Sequence, residues 1–293
     1  MQQLVMDVTG RPFPDFLKET VLDKIGMRHS GYLQPLPKSL WSAAAVAYRS
    51  DETVIKGNRH IYPELAAAGL WTTPSDLARF AIEIQESLVG KSNKVLSQEM
   101  TRQMLTPQKG NYGLGLALAG AGKAAHFSHG GANEGYRCQL VGYTETGQGA
   151  VVMTDSDSGD LLMSEILRSI AREYGWPDYH PIEKVVARLD PTIYSSYVGE
   201  YEAPQIGKII ASTDQSRFFV EFVEAEALGL GKTELFPESD GQFFATSTDL
   251  SIGFSKDPAG LVVEMVVQIG GQPIKAREFD LTVSSSAGDI SSW

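Results

Sequence analysis

The hydrophobic period changes once along this chain, and that change limits what it can fold into. Up to Tyr174, apolar residues recur at helical spacing between short strand signals. Phe16, Leu17, Val21, Leu22 and Ile25 form one such set. Leu77, Phe80, Ala81 and Ile84 form a second, and Leu161, Leu162, Ile166, Leu167, Ile170 and Tyr174 a third. Between Trp176-Pro177 and Asp190-Pro191 this pattern stops. Beyond it, strand signals at 208–211, 217–223, 233–236, 242–246, 251–254, 261–269 and 274–279 alternate with turns bearing Gly and Asp. Short, regularly spaced strands suit a barrel or a sandwich. A chain of 293 residues has room for two ordinary domains. The expected layout is an α+β domain over 1–180, a linker over 181–189, a small all-β barrel over 190–281, and a disordered Ser-rich tail over 282–293.

Within the first domain, Leu4 to Thr9 reads as the tail of a helix that Gly10 stops. Asp15 to Ile25 reads as an amphipathic helix, and residues 31–64 as a long surface excursion. Thr73 is placed to cap a helix whose first residue is Pro74, with Asp76 facing the helix dipole. Ser97 caps a shorter helix through Leu105. Tyr112–Ala119, the stretch around residues 125–143, and Ala150–Thr154 give a three-strand antiparallel meander.

The 125–143 stretch holds the candidate site. It runs His126-Phe127-Ser128-His129-Gly130-Gly131-Ala132-Asn133-Glu134-Gly135 and then resumes as a strand from Arg137. Bare glycine backbone at a strand end lets a ligand or another backbone approach closely. A plain glycine bulge is the alternative. His129, Gly130, Gly131, Ala132, Asn133 and Glu134 are the residues singled out, with Asn133 and Glu134 equally suited to facing a substrate or capping the loop. Ser128 and His129 fall on opposite faces of a strand, so they cannot be a nucleophile–base pair. His126 and Ser128 share a face, but no third orienting group is evident. Tyr112 is expected in a core. Cys138, the single cysteine, is expected to be a small buried hydrophobe. His29, His60 and His180 lack ligand spacing, so no metal is expected. No glycine-rich phosphate loop leads from a strand into a helix, so no nucleotide cofactor is expected either. A formal net charge of −11 repels phosphate backbones, which argues against nucleic acid as a partner. No apolar run is long enough to span a membrane.

Three stretches together carry a resemblance. The opening "QQLVMDVTGRPFPDFLKETVLDKIGMRHSGY", the helix start "GLWTTPSDLARF" and the His129-Gly130-Gly131 strand resemble the β-lactamase-related serine hydrolases. That group includes class C β-lactamases, penicillin-binding proteins and β-lactamase-like esterases. From Tyr197-Val198-Gly199-Glu200-Tyr201 onward, the chain is similar to the lipocalin-like domain appended to some of them. The resemblance implies a partial β-lactamase/transpeptidase-like domain, an antiparallel sheet with helices, followed by a lipocalin-like barrel. It implies small ester, amide or D-amino-acid peptide substrates, no cofactor, and a periplasmic or secreted setting. It also places His129 where relatives carry the lysine of a Lys-Thr-Gly motif, and the Ala132 N–H as one oxyanion donor, with Gly130, Gly131, Asn133 and Glu134 lining the substrate.

The family's nucleophile motif, Ser-x-x-Lys, does not occur: no serine has a lysine three residues on. Thr53/Lys56 and Thr106/Lys109 have the spacing but lie in weakly patterned segments. Tyr48-Arg49-Ser50 lies in the wrong place for the second, Tyr-led motif. The resemblance therefore covers the back half of the catalytic domain, and the chain alone is expected to have little hydrolase activity. A non-catalytic binding or scaffold role for the barrel is the alternative. A third reading makes the chain one piece of a larger enzyme, with a separate N-terminal fragment or self-association completing it.

Overall fold

The computed structural model describes residues 1–180, 183–204, 206–223, 231–246, 248–269 and 272–278. The proposed tail over 282–293 lies outside these residues, as do the first two linker positions and residues 279–281 of the barrel. The chain divides into two compact units, Met1–Pro181 and Ile182–Trp293.

The first unit is a sheet with helices on both faces. Helix α1 (Gln2–Thr9) ends at Gly10 in the left-handed conformation. A second helical run follows without a break: α2 (Phe13–Leu17), a π-helical turn over Lys18–Leu22, and α3 (Asp23–Ile25). Its apolar residues Leu22 and Ile25 are buried with Met27. Strand β1 (Gly31–Tyr32) pairs with β2 (Leu70–Trp71), which α4 (Leu65–Ala68) precedes. Helix α5 (Pro74–Leu88) starts as expected: Thr73 Oγ1 accepts from Asp76 N at 3.2 Å, and Pro74 is the first helical residue. Ser97 caps α6 (Gln98–Met104) in the same way.

The sheet differs from the expected meander. It has four strands, in the order β3 (Ala117–Ala119), β4 (His126–Asn133), β5 (Tyr136–Tyr143) and β6 (Gly149–Thr154). The 125–143 stretch is a hairpin of two strands. The glycine pair does not break β4; the turn comes three residues later, at Glu134-Gly135. Tyr112 to Leu116 does not join the sheet as a strand; it folds back through isolated bridges, and Tyr112 is half exposed instead of lying in a core.

Alternation along β5 divides the core. Leu140 packs with Phe127, Leu116, Ala81 and Ile84 under α5. Val141 and Tyr143 pack on the other face with Met163, Leu167 and Ala171 of α7 (Gly159–Tyr174).

The second unit is a closed antiparallel barrel of eight strands, which fits the lipocalin-like expectation. Its strands are β7 (Gly199–Ala203), β8 (Gly207–Asp214), β9 (Arg217–Phe222), β10 (Thr233–Ser239), β11 (Gln242–Phe244), β12 (Leu250–Lys256), β13 (Val262–Ile269) and β14 (Gln272–Glu278). Each pairs with the next, and β14 pairs with β7 to close the ring, which leaves no free edge. Inward positions alternate with outward ones, as Phe218, Val220 and Phe222 show. Phe218, Phe243 and Phe254 meet Tyr194 and Tyr197, which a 3₁₀ turn over Pro191–Tyr197 carries into the same core. The chain as a whole is α+β.

Candidate functional site

The register of the hairpin decides which backbone groups of β4 are free. Tyr143 N donates to Gln148 O, and Thr144 N donates to Ala125 O. Odd-numbered residues of β5 therefore turn their backbone groups toward β6, and even-numbered ones toward β4. Opposite them, Gly130 pairs with Gln139 and Ala132 with Arg137. These are the pairs without mutual hydrogen bonds, so Gly130 and Ala132 point their N–H and C=O groups away from β5. On that side β3 reaches only as far as Ser128. The backbone of Gly130 and Ala132 thus forms an uncovered strand edge, and both residues are exposed.

His129 lies beside this edge with an exposed side chain. Its Nδ1 sits 2.6 Å from Gly130 O. A carbonyl only accepts, so Nδ1 carries the proton, and Nε2 of the neutral ring is left as an acceptor. The expected alternation holds: His129 shares its face with Cys138 and Leu140, and Ser128 takes the other. Gly131 is required by packing, because a Cβ there would lie 2.4 Å from Cys138 Sγ.

That face opens onto a cavity of about 510 Å³. Its floor is His129, Gly130, Cys138 and Leu140, and its walls include Leu77, Phe80 and Ile84 of α5. Burial pushes the Cys138 thiol above its usual range.

Asn133 and Glu134 tie the hairpin tip to segments distant in sequence. Asn133 Nδ2 donates to Ala68 O at 3.0 Å. Glu134 receives Arg49 Nε at 2.8 Å on one oxygen and faces His60 Nε2 at 2.5 Å on the other. The hydrogen bond from His60, aided by Arg49, holds the Glu134 carboxyl below its ordinary range. Gly135, at φ +81°, donates its N–H to Asp157 Oδ1 at 2.8 Å. The same carboxylate takes Arg137 Nη1, also at 2.8 Å. Residues 45–60 are thus held against the hairpin, with Tyr136 OH donating to Ala45 O at 2.8 Å. Burial raises the Tyr136 phenol, and Arg59 opposes that shift.

Several of these partners carry no signal in the sequence. Arg49 and His60 lie 85 and 74 residues from Glu134. Asp76, read as a dipole-facing charge, is buried and also accepts His29 N at 2.7 Å and Ser30 Oγ at 2.9 Å. His126 does have an orienting acid: Asp178 Oδ2 lies 3.2 Å from its Nδ1, and Tyr143 OH donates to the same carboxylate. The two Thr-x-x-Lys spacings make no pair, since Thr53 Oγ1 bonds Asp51 and Thr106 Oγ1 bonds Arg102 O. Among the described residues no cluster of His, Cys, Asp and Glu could hold a metal ion.

Comparison with known proteins gives a consistent result. The family model described as Beta-lactamase matches residues 1–172. The chain is 24% identical over 188 residues to Penicillin-binding protein 4* of Bacillus subtilis (strain 168), covering 62% of this chain and 40% of that protein. It is 20% identical over 168 residues to the putative penicillin-binding protein PbpX of the same organism, covering 57% of this chain and 40% of the relative. Among solved structures, SurE matches with a TM-score of 0.51 at 20% identity, over 95% of this chain and 65% of SurE. The chain therefore spans 40% of the length of these curated relatives.

Proposed function

Because the chain belongs to the β-lactamase family, a family of serine hydrolases, through residues 1–172, we propose that it forms the strand-and-helix side of an acyl-transfer site. The nucleophile comes from further polypeptide. The uncovered edge of β4 carries this reading. The Ala132 N–H is turned outward where it can donate to a developing oxyanion, and His129, three residues earlier on the same strand, offers Nε2 as an acceptor. In this reading Gly130 and Gly131 let the substrate approach the strand, and Asn133 and Glu134 hold the wall of the groove in place. The substrates are small esters, amides or D-amino-acid peptides.

Acyl transfer by a serine also needs a base beside that serine and a second proton-transfer group. Relatives supply these from Ser-x-x-Lys and Tyr motifs, and this sequence has no Ser-x-x-Lys. The cavity at His129 supports a separate source, since its largely aliphatic walls suit the apolar face of an added helix. Two copies of this chain would not complete the set, so self-association is a competing use of the same surface. The barrel's described interior is filled by its own side chains, which lends nothing to a ligand-carrier role.

The test combines this chain with an N-terminal segment of a penicillin-binding protein that bears both motifs. A fluorophosphonate probe should label the serine of the added segment only when both are present, and nothing in this chain alone. His129→Ala should cut the labelling rate. Stoichiometric labelling of a serine in this chain by itself would refute the proposal.

A further inference from the structure

Next to the hairpin tip, and on the same sheet face as His129, lies a cluster that the site above does not use. The guanidinium of Arg59 packs against two indoles, its Cζ 5.7 Å from the ring centres of both Trp41 and Trp71. Trp71 meets Tyr136 edge to face at 5.9 Å. Two donors in this cluster, Arg59 Nε and Trp71 Nε1, are shut off from solvent without a hydrogen-bond partner. A buried N–H left unpaired costs about 1–3 kcal/mol, so two within one packed cluster call for an explanation.

The chemistry of the pair limits the occupant. Both groups only donate, and one carries a positive charge, so they select a group that accepts twice and is negative. The neighbouring acid cannot serve, because Glu134 is taken by Arg49 and His60. Arg59 has the Tyr136 phenol as a side-chain hydrogen-bond partner, and among the described residues no carboxylate pairs with it. Lys38 Nζ lies 5.9 Å above Trp41 and adds a second positive charge nearby. Trp41, on a 3₁₀ turn (Lys38–Ala43) with no buried residue, is 49% exposed and is held by one hydrogen bond, from its Nε1 to Leu36 O at 3.0 Å, which its displacement would break.

We propose that Arg59 and Trp71 form a carboxylate subsite, in which Arg59 Nε–H and Trp71 Nε1–H share one carboxylate that enters by displacing the indole of Trp41. This rests on the acyl-transfer reading and adds to it a free carboxylate on the substrate, the mark of a peptide or N-acyl amino acid rather than a neutral ester.

The experiment needs no catalysis and uses the chain alone. Indole N–H signals of the ¹⁵N-labelled protein are followed while N-acetyl-D-alanine, its primary amide, or inorganic phosphate is added. The carboxylate should shift the signal that Trp71→Phe removes, saturably, and the amide should leave it in place. Binding read from Trp41 fluorescence should weaken about tenfold or more in Trp71→Phe and in Arg59→Gln, while Lys94→Ala leaves it unchanged. Unfolding midpoints close to that of the unmodified chain show that the variants still fold. An equal response to acid and amide, a stronger response to phosphate, unchanged affinity in Trp71→Phe, or a single water satisfying both donors in the carboxylate-soaked crystal would each overturn the subsite. Serine labelling in the mixed enzyme is independent of these results, so the two proposals fail separately.

Discussion

Gly135→Ala tests how the hairpin turn holds the wall of the groove. Gly135 sits at φ +81°, where an added Cβ would lie 2.4 Å from Ala47 Cβ and 2.9 Å from both Ala47 Cα and Ile55 Cδ1. Ala47 and Ile55 are almost completely buried and hydrogen-bonded to each other, so neither has room to yield. A left-handed alanine costs about 1–2 kcal/mol, and forcing a methyl into a filled core about 1–3 kcal/mol. The lower chain entropy of unfolded alanine offsets about 0.4–1 kcal/mol. The net expectation is a loss of about 2–4 kcal/mol from these same terms. Gly147 is the control: its φ is +72°, with nothing within 4 Å of an added Cβ. Gly147→Ala therefore carries only the backbone cost, about 1 kcal/mol or less after the same offset. Urea unfolding followed by tryptophan fluorescence reads both, since Trp71 packs on Tyr136 next to this turn. Ala47→Gly in the Gly135→Ala background should recover about 1 kcal/mol, as contacting pairs couple at this scale. Equal losses for the two glycines, or no recovery from Ala47→Gly, would refute the packing argument.

Three further outcomes follow from the site. The Glu134 carboxyl is held below its ordinary range, so its share of the tie to Arg49 and His60 is in place above that range and is lost as pH falls through the lowered value. Amide protection factors across residues 45–60 should fall on acidification, and Glu134→Gln should show the lower protection already at neutral pH with little further change as pH falls. Cys138, its thiol raised by burial, should react with iodoacetamide more slowly than a free cysteine, keep gaining rate beyond the pH at which a free thiol levels off, and be protected by whatever fills the cavity. Asp76→Ala leaves His29 N–H and Ser30 Oγ without their acceptor and should cost about 2–4 kcal/mol in the same urea assay.

Local signals told the truth where the physics is local. Thr73 and Pro74 start α5 because one hydroxyl and one fixed φ settle a helix end without help from elsewhere. Most barrel strands were legible for the same reason, since period-2 burial is written into strands such as β9, β10 and β12, whereas β7 gave no separate signal. The glycine pair does not interrupt the strand: β4 runs through Gly130 and Gly131, and a Cβ on Gly131 would meet Cys138 Sγ at 2.4 Å across the ladder.

By itself, then, the sequence determined the two regimes, the caps, the family and the His129-Gly130-Gly131 strand, all of them matters of spacing and residue type. Only the tertiary structure decided that β3 stops at Ser128 and leaves Ala132 N–H uncovered, that Glu134 grips Arg49 and His60, and that Arg59 packs against two tryptophans. Those contacts, that of Arg59 with each of two indoles included, join residues far apart in the chain, and no periodicity encodes them. They depend on which strand ends first and which loop folds over it.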